Sequence, residues 1–376
     1  MNARLNAVAI SVGVIAGLLA FDIASKRSAN FDPLAVGLGQ NTFSKLARSE
    51  SQSISAIKDP LELLPASRSA ESQKKDVYLW MGASQLHSIN FLEPGDLLAV
   101  EEANRLRSQR SEAGIYLQYS FPNSSFRGLL VDYLVLRREG VRPRALVLAM
   151  TYDDLREGVQ QTTKPRLERA DIPKILAGDS EGLLDWVFTS AEEEPAEQNS
   201  GSSNVTEGTL QERLEAVLVG NLSRAWPAYG ERESLHGVLR VVVMSAFHGA
   251  FGSMMARRAP SVPEDAKAAN SRALWALVKV ALADGVSVYM YKQPHRPGDG
   301  DFYHERERYD AWHSELAARA EETASLYYAD FEGIVPKELW GLTNEGRPDC
   351  FHFRAEGHQI LGKAVEGWIE KIEESR

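Results

Sequence analysis

Four short runs of apolar residues, at 77–81, 145–150, 286–291 and 326–329, constrain the fold more than any other feature of this chain. Each is bounded by turn-forming or polar residues and is too short for an ordinary helix. That is how a strand covered on both faces reads. Amphipathic helical patterns lie between and after the runs. Residues 125–138 offer Leu129, Leu130, Tyr133, Leu134 and Leu136 to a core, and 266–283 offer Leu274, Leu277, Val278 and Leu282. Residues 303–323 are charge-rich and read as a surface helix, and 355–372 carry Ile360, Leu361, Val365, Trp368 and Ile369. Strand–helix alternation predicts a layered α/β domain.

The chain is not uniform. Residues 7–21 are apolar except for Ser11, with Arg4 before them and Lys26-Arg27 after. Extended by Leu5, Asn6 and Ile23, the stretch reaches the ~20 residues of a membrane span. A cleaved signal peptide and a buried soluble helix are the rival readings. No small-x-small cleavage site follows, which favours an uncleaved signal anchor over residues 1–27. A short N-terminus before one span is most simply read with the large domain on the extracytoplasmic side. Residues 28–75 are rich in Ser, Ala, Lys and Gln and contain Pro33, Pro60 and Pro65, the composition of a stalk. The α/β domain is expected over 76–376, with a helical insertion at about 157–262. Within that insertion, 191–208 is acidic, Ser/Gly-rich and poor in large apolar residues, and is read as a mobile loop. Flanking helical patterns at 209–224 and 233–255 suggest a cap or accessory lobe.

A formal net charge of -10 argues against nucleic acid as a partner. A single cysteine, Cys350, excludes an internal disulfide framework and a multi-cysteine metal site.

Two segments carry chemistry. Residues 77–81 run into Gly82-Ala83-Ser84-Gln85, placing a serine at the carboxyl end of a strand, the edge where open α/β sheets bind ligands. Small residues before the serine allow a tight turn. Alone, the segment reads equally as a strand-to-helix N-cap. Near the C-terminus, Asp349 and His352 are three residues apart after Pro348 and before the last helical pattern. In a tight loop, such a step can put a carboxylate beside imidazole Nδ1 and leave Nε2 facing a nucleophile. The plainer reading is a capping Asp with a surface His.

Together the two segments resemble the nucleophile block and the Asp/His block of the SGNH (GDSL-like) hydrolase superfamily. The anchor, the stalk and the Asp-x-x-His-Phe…Gly-His tail are similar to a membrane-anchored subgroup. That subgroup resembles the D-alanyl transfer protein of teichoic acids and the alginate-type O-acetyltransferases. The likeness covers roughly residues 76–160 and 285–372. It implies a three-layer flavodoxin-like sheet, mostly parallel, with helices on both faces. It also implies a Ser84 nucleophile, a His352 general base and an Asp349 partner, with no cofactor and no metal. The implied partners are an acylated cell-envelope polysaccharide or small acyl ester, and a membrane-bound O-acyltransferase. Ser84 N–H would be one oxyanion donor, a role that can be worth a factor of ~100–1000 per donor.

The remaining donors depart from the pattern. The family's second block normally offers a glycine, where this chain has Asn123 in its 121–125 stretch. Its third block normally offers an asparagine, where this chain has Asp153 after Thr151 and Tyr152. An ionised carboxylate cannot donate a hydrogen bond to an oxyanion. Asn123 or Thr151 is therefore left for the role, or Asp153 points elsewhere. The departure also motivates a second function: a catalytically inactive member that binds polymer or an integral-membrane acyltransferase. A metal pair at Asp153-Asp154 lacks a third ligand at a fixed spacing. His295 and Arg296 follow the run at 286–291, so they could line the site or sit in a solvated Pro-rich turn. His87, His358 and Trp340 each have a local structural explanation beside a functional one.

Overall fold

A computed structural model describes residues 54–56, 59–86, 96–110, 114–121, 124–156, 226, 262–298, 306–342 and 348–376. The expected anchor at 1–27, the expected insertion apart from Trp226 and Val262, the expected loop at 191–208, His87 and Asn123 lie outside the described residues. Among the described residues, no helix is long and apolar enough to cross a membrane.

Six strands form one sheet: β1 (Ser55–Ala56), β2 (Asp76–Gly82), β3 (Gly114–Ser120), β4 (Ala145–Met150), β5 (Ser287–Lys292) and β6 (Leu326–Asp330). Their order is β1-β3-β2-β4-β5-β6, and every pairing is parallel. From β2 the chain moves outward to β3, then returns past β2 to build β4, β5 and β6 on the other side. The order reverses between β2 and β4, and in open sheets ligands bind outside the carboxyl ends of strands at such a point.

Strand periodicity assigns the two cores. Leu79, Met81, Leu146, Leu148, Met150, Val288 and Met290 point to one face. There they meet α1 (Leu64–Ser72), α3 (Phe126–Arg138), α4 (Glu264–Ala283) and α5 (Arg306–Glu322). Tyr78, Trp80, Val147, Ala149, Tyr289 and Tyr291 point to the other face, covered by α2 (Ala99–Gln109) and α6 (Ala355–Glu374). The sheet is thus buried on both sides, which explains the uninterrupted apolar runs.

The domain begins earlier than Asp76. β1 pairs with Gln118 and Tyr119 of β3. Asp59 then accepts the Leu61 N–H at 3.0 Å and starts a turn that leads into α1, where Leu63, Ala66 and Ala70 are buried. The residues from Ile54 onward therefore belong to the fold rather than to a stalk. Small and polar residues look like a linker in composition, but here one side of a short helix packs on the sheet.

A second, two-stranded antiparallel sheet joins β7 (Trp340–Leu342) and β8 (Pro348–Phe353). The Asp349–His352 segment is therefore in an irregular strand, not in a loop. Trp340 is opposite Phe353 and Leu342 is opposite Pro348, so β8 has three more residues than its partner between these pairs. Such a bulge re-aims side chains.

Candidate active site

Gly82 ends β2 where the chain must turn against its neighbour. A Cβ there would lie 2.9 Å from Leu86 Cδ1 and 3.0 Å from Ala149 Cβ, so a larger residue would make these side chains shift. A single 3-10 turn, Ser84–Leu86, follows. Its first N–H groups precede any partner inside the turn.

Ser84 Oγ lies 2.9 Å from His352 Nε2. On the far side of the ring, His352 Nδ1 is 2.8 Å from Asp349 Oδ2, and the other carboxylate oxygen accepts the His352 backbone N–H at 3.0 Å. The aspartate thus holds the ring and its backbone together, with Nδ1 as donor and Nε2 left to face the serine. Asp349 is buried, while the imidazole keeps 18% of its side-chain surface exposed, enough for a solute to reach it. This arrangement can deprotonate a hydroxyl.

The bulged strand is fixed on several sides. Arg354 N–H donates to Leu339 O at 2.7 Å, and Arg296 N–H to Cys350 O at 3.2 Å. Phe353 is fully buried, edge-on to Trp340 and 4.6 Å from the buried His358 ring. Trp340 is itself buried, and its indole N–H donates to Val335 O at 3.2 Å, so it packs the hairpin rather than presenting a stacking face. Helix α6 is tied to α2 by Glu366, which accepts from Arg107 Nε at 3.1 Å and from the Tyr116 hydroxyl.

The end of β4 supplies the third side of the site. Thr151 is buried, and its hydroxyl has no hydrogen-bond partner among the described residues. Thr151 directly follows β4, which pairs with β2 as far as Met81 opposite Leu148, so it lies at the same carboxyl rim from which the Ser84 turn leaves β2. Asp153 is held 3.0 Å from Arg156, so it is engaged in an ion pair. Asp154 is fully enclosed. Burial first, and the neighbouring Asp153 second, push its carboxyl well above the usual range. Among the described residues, no three His, Cys, Asp or Glu side chains form a group that could hold a metal.

The segment after β5 is not a solvated turn at its start: Gln293 and His295 are both buried. His295 N–H donates to Glu332 O at 3.0 Å, and Arg296 bonds the His352 strand as above. Sequence reading singled out His295 and Arg296 but passed over Gln293. Its signal was only its place, one residue beyond a buried strand.

No family model matches this chain, and no curated protein matches it. Among solved structures, the crystal structure of a presumptive acylhydrolase from Bacteroides fragilis NCTC 9343 is similar, with a TM-score of 0.35 and 10% sequence identity. The match covers 82% of this chain and 96% of that one. No chemistry follows from a likeness of this degree.

Proposed function

We propose that the protein is a serine esterase or O-acyltransferase in which Ser84, His352 and Asp349 act as a catalytic triad. The observation that carries this reading is the unbroken series Ser84 Oγ, His352 Nε2, His352 Nδ1, Asp349 Oδ2, with links of 2.9 and 2.8 Å, at the sheet's switch point.

In the proposed reaction, Nε2 takes the Ser84 hydroxyl proton as Oγ bonds to the carbonyl carbon of an ester. The carbonyl electron pair moves to oxygen, where Ser84 N–H and the Thr151 hydroxyl are the proposed donors. Collapse breaks the bond to the alcohol, which leaves with the proton from Nε2. Water or another hydroxyl then attacks the acyl-serine by the reverse sequence and releases Ser84. Asp349 stays ionised and steadies the imidazolium. Asp153, paired with Arg156, is left out of these steps.

The acyl ester we assign is that of a cell-envelope polysaccharide, with residues 1–27 as membrane anchor and the domain outside. These assignments rest on the sequence resemblance. The test of the chemistry is turnover of p-nitrophenyl acetate by the native protein and by Ser84→Ala. Loss of turnover to background in the variant supports the triad. Turnover undiminished in the variant excludes Ser84 as the nucleophile, and absence of turnover in the native protein leaves the non-catalytic binding role.

A further inference from the structure

We infer that Gln293 determines specificity by holding the alcohol half of the ester, through a neutral pair of hydroxyls. The inference rests on the reading of Ser84 as nucleophile.

Gln293 is 3% exposed, yet neither Nε2 nor Oε1 has a hydrogen-bond partner among the described residues. Leaving a buried polar group unsatisfied costs about 1–3 kcal/mol, and native folds seldom tolerate it without a reason. Here both ends of one amide are left so, directly beyond the end of a central strand.

Register locates the side chain. Met150 faces Lys292 across β4 and β5, and the next residues in line are Thr151 and Gln293. Gln293 N–H still follows the ladder, donating to Met150 O at 3.3 Å. Thr151 and Gln293 therefore stand side by side beyond the carboxyl ends of β4 and β5, and Ser84 begins the 3-10 turn just beyond the end of β2. Alternation puts Gln293 on the face of Tyr289 and Tyr291, the face on which Phe353 of the His352 strand packs.

The chemistry settles which half of the ester lies there. His352 must return its proton to the departing alcohol, so the alcohol occupies the imidazole side of the acyl carbon. The segment holding Gln293 is on that side, because Arg296 N–H bonds Cys350 O within the His352 strand. An amide offers a donor NH2 and an acceptor oxygen side by side and no charge. Two neighbouring sugar hydroxyls complement it, whereas a carboxylate would meet the Oε1 lone pairs. The adjacent Lys292 is occupied by Glu332 at 2.7 Å and Asp310 at 3.3 Å.

The test compares native protein with Gln293→Met, which keeps length and volume but removes both polar atoms. The readout is the ratio of kcat/KM for monoacetylated cellobiose to kcat/KM for p-nitrophenyl acetate. We expect this ratio to fall about tenfold through KM, the scale of one neutral hydrogen-bonding group. The variant should melt at the same or a higher temperature, because an unsatisfied amide has been removed. An unchanged ratio overturns the inference. So does a lower melting temperature with both esters losing equally, which marks a structural amide. If the Met variant does not fold, Gln293→Asn, which withdraws the amide by one methylene, is judged by the same ratio. Phosphonate labelling of native Ser84 separates the two failures. Labelling with an unchanged ratio contradicts the Gln293 inference alone, and no labelling contradicts the triad and this inference with it.

Discussion

Ser84 and His352 are 268 residues apart in the chain and 2.9 Å apart at Oγ and Nε2. Each is delivered by a separate device: a tight turn after β2, and a bulged strand before α6. Nothing local to either segment requires the meeting, so the Ser84–His352 contact depends on β8 and α6 packing on the aromatic face of the sheet.

Asp349 orients His352 through both ring and backbone, so its substitution should disrupt catalysis without unfolding the domain. Asp349→Asn keeps the shape but lets an amide N–H face Nδ1, which favours the wrong tautomer. We expect kcat to fall by about 10^4, as for removal of a triad carboxylate. Circular dichroism should be unchanged. A loss below tenfold would show that Asp349 is not the orienting group.

Helix α6 meets α2 at Gly362, where a Cβ would be 2.5 Å from Ala99 O and 2.9 Å from Glu102 Cβ. Backbone cannot yield as a side-chain tip can. Gly362→Ala should therefore cost about 1–3 kcal/mol, the usual penalty for overpacking. Chemical denaturation measures it, and a variant as stable as the native protein would contradict this close approach.

The Arg107–Glu366 pair joins the same two helices with both side chains almost completely buried. Removing Glu366 takes away the nearer carboxylate of the buried Arg107, whose Nη2 keeps Glu373 at 3.5 Å. Glu366→Leu alone should cost about 3–5 kcal/mol, whereas Arg107→Met with Glu366→Leu should recover most of it. Stability of the two single variants and the double variant tests this. An additive double variant would mean the charges do not interact.

His313 gives the fold a pH dependence. It lies among Tyr309, Trp312, Tyr328, Lys292 and Arg306, with Nδ1 2.8 Å from the Tyr328 hydroxyl. Burial first, then the Lys292 and Arg306 charges, lower its pKa to about 2. The unfolded chain's histidine titrates near 6.5. Between those values the unfolded state binds the extra proton, so stability falls as pH drops below about 6.5, by up to about 1.4 kcal/mol per pH unit from this group. His313→Asn keeps an acceptor for Tyr328 and should flatten that slope in urea titrations from pH 7 to 5.

Much of this architecture was legible in the chain because burial on both faces leaves a plain signature. β2, β4, β5 and β6 are almost wholly apolar. β3 was not legible, because Gln118 and Ser120 interrupt it, although both are buried and bonded to each other at 3.2 Å. α2 was hidden by its charges, since Arg107 and Glu102 are buried by ion pairing rather than by being apolar. The site divides similarly. Ser84, Asp349 and His352 could be singled out because their residue types suggest chemistry, and the structure brings them together. The bulge in β8 depends on a partner strand, and the unsatisfied amide of Gln293 depends on everything packed around it. Neither leaves a mark in local composition.

The most direct measurement is labelling with a serine-directed fluorophosphonate, followed by peptide mapping of the native protein, Ser84→Ala and His352→Ala. The expected result is one adduct on the peptide containing Ser84 in the native protein, lost in Ser84→Ala and strongly slowed in His352→Ala. An adduct on another residue, or labelling that persists unchanged in Ser84→Ala, would contradict nucleophilic catalysis at this turn.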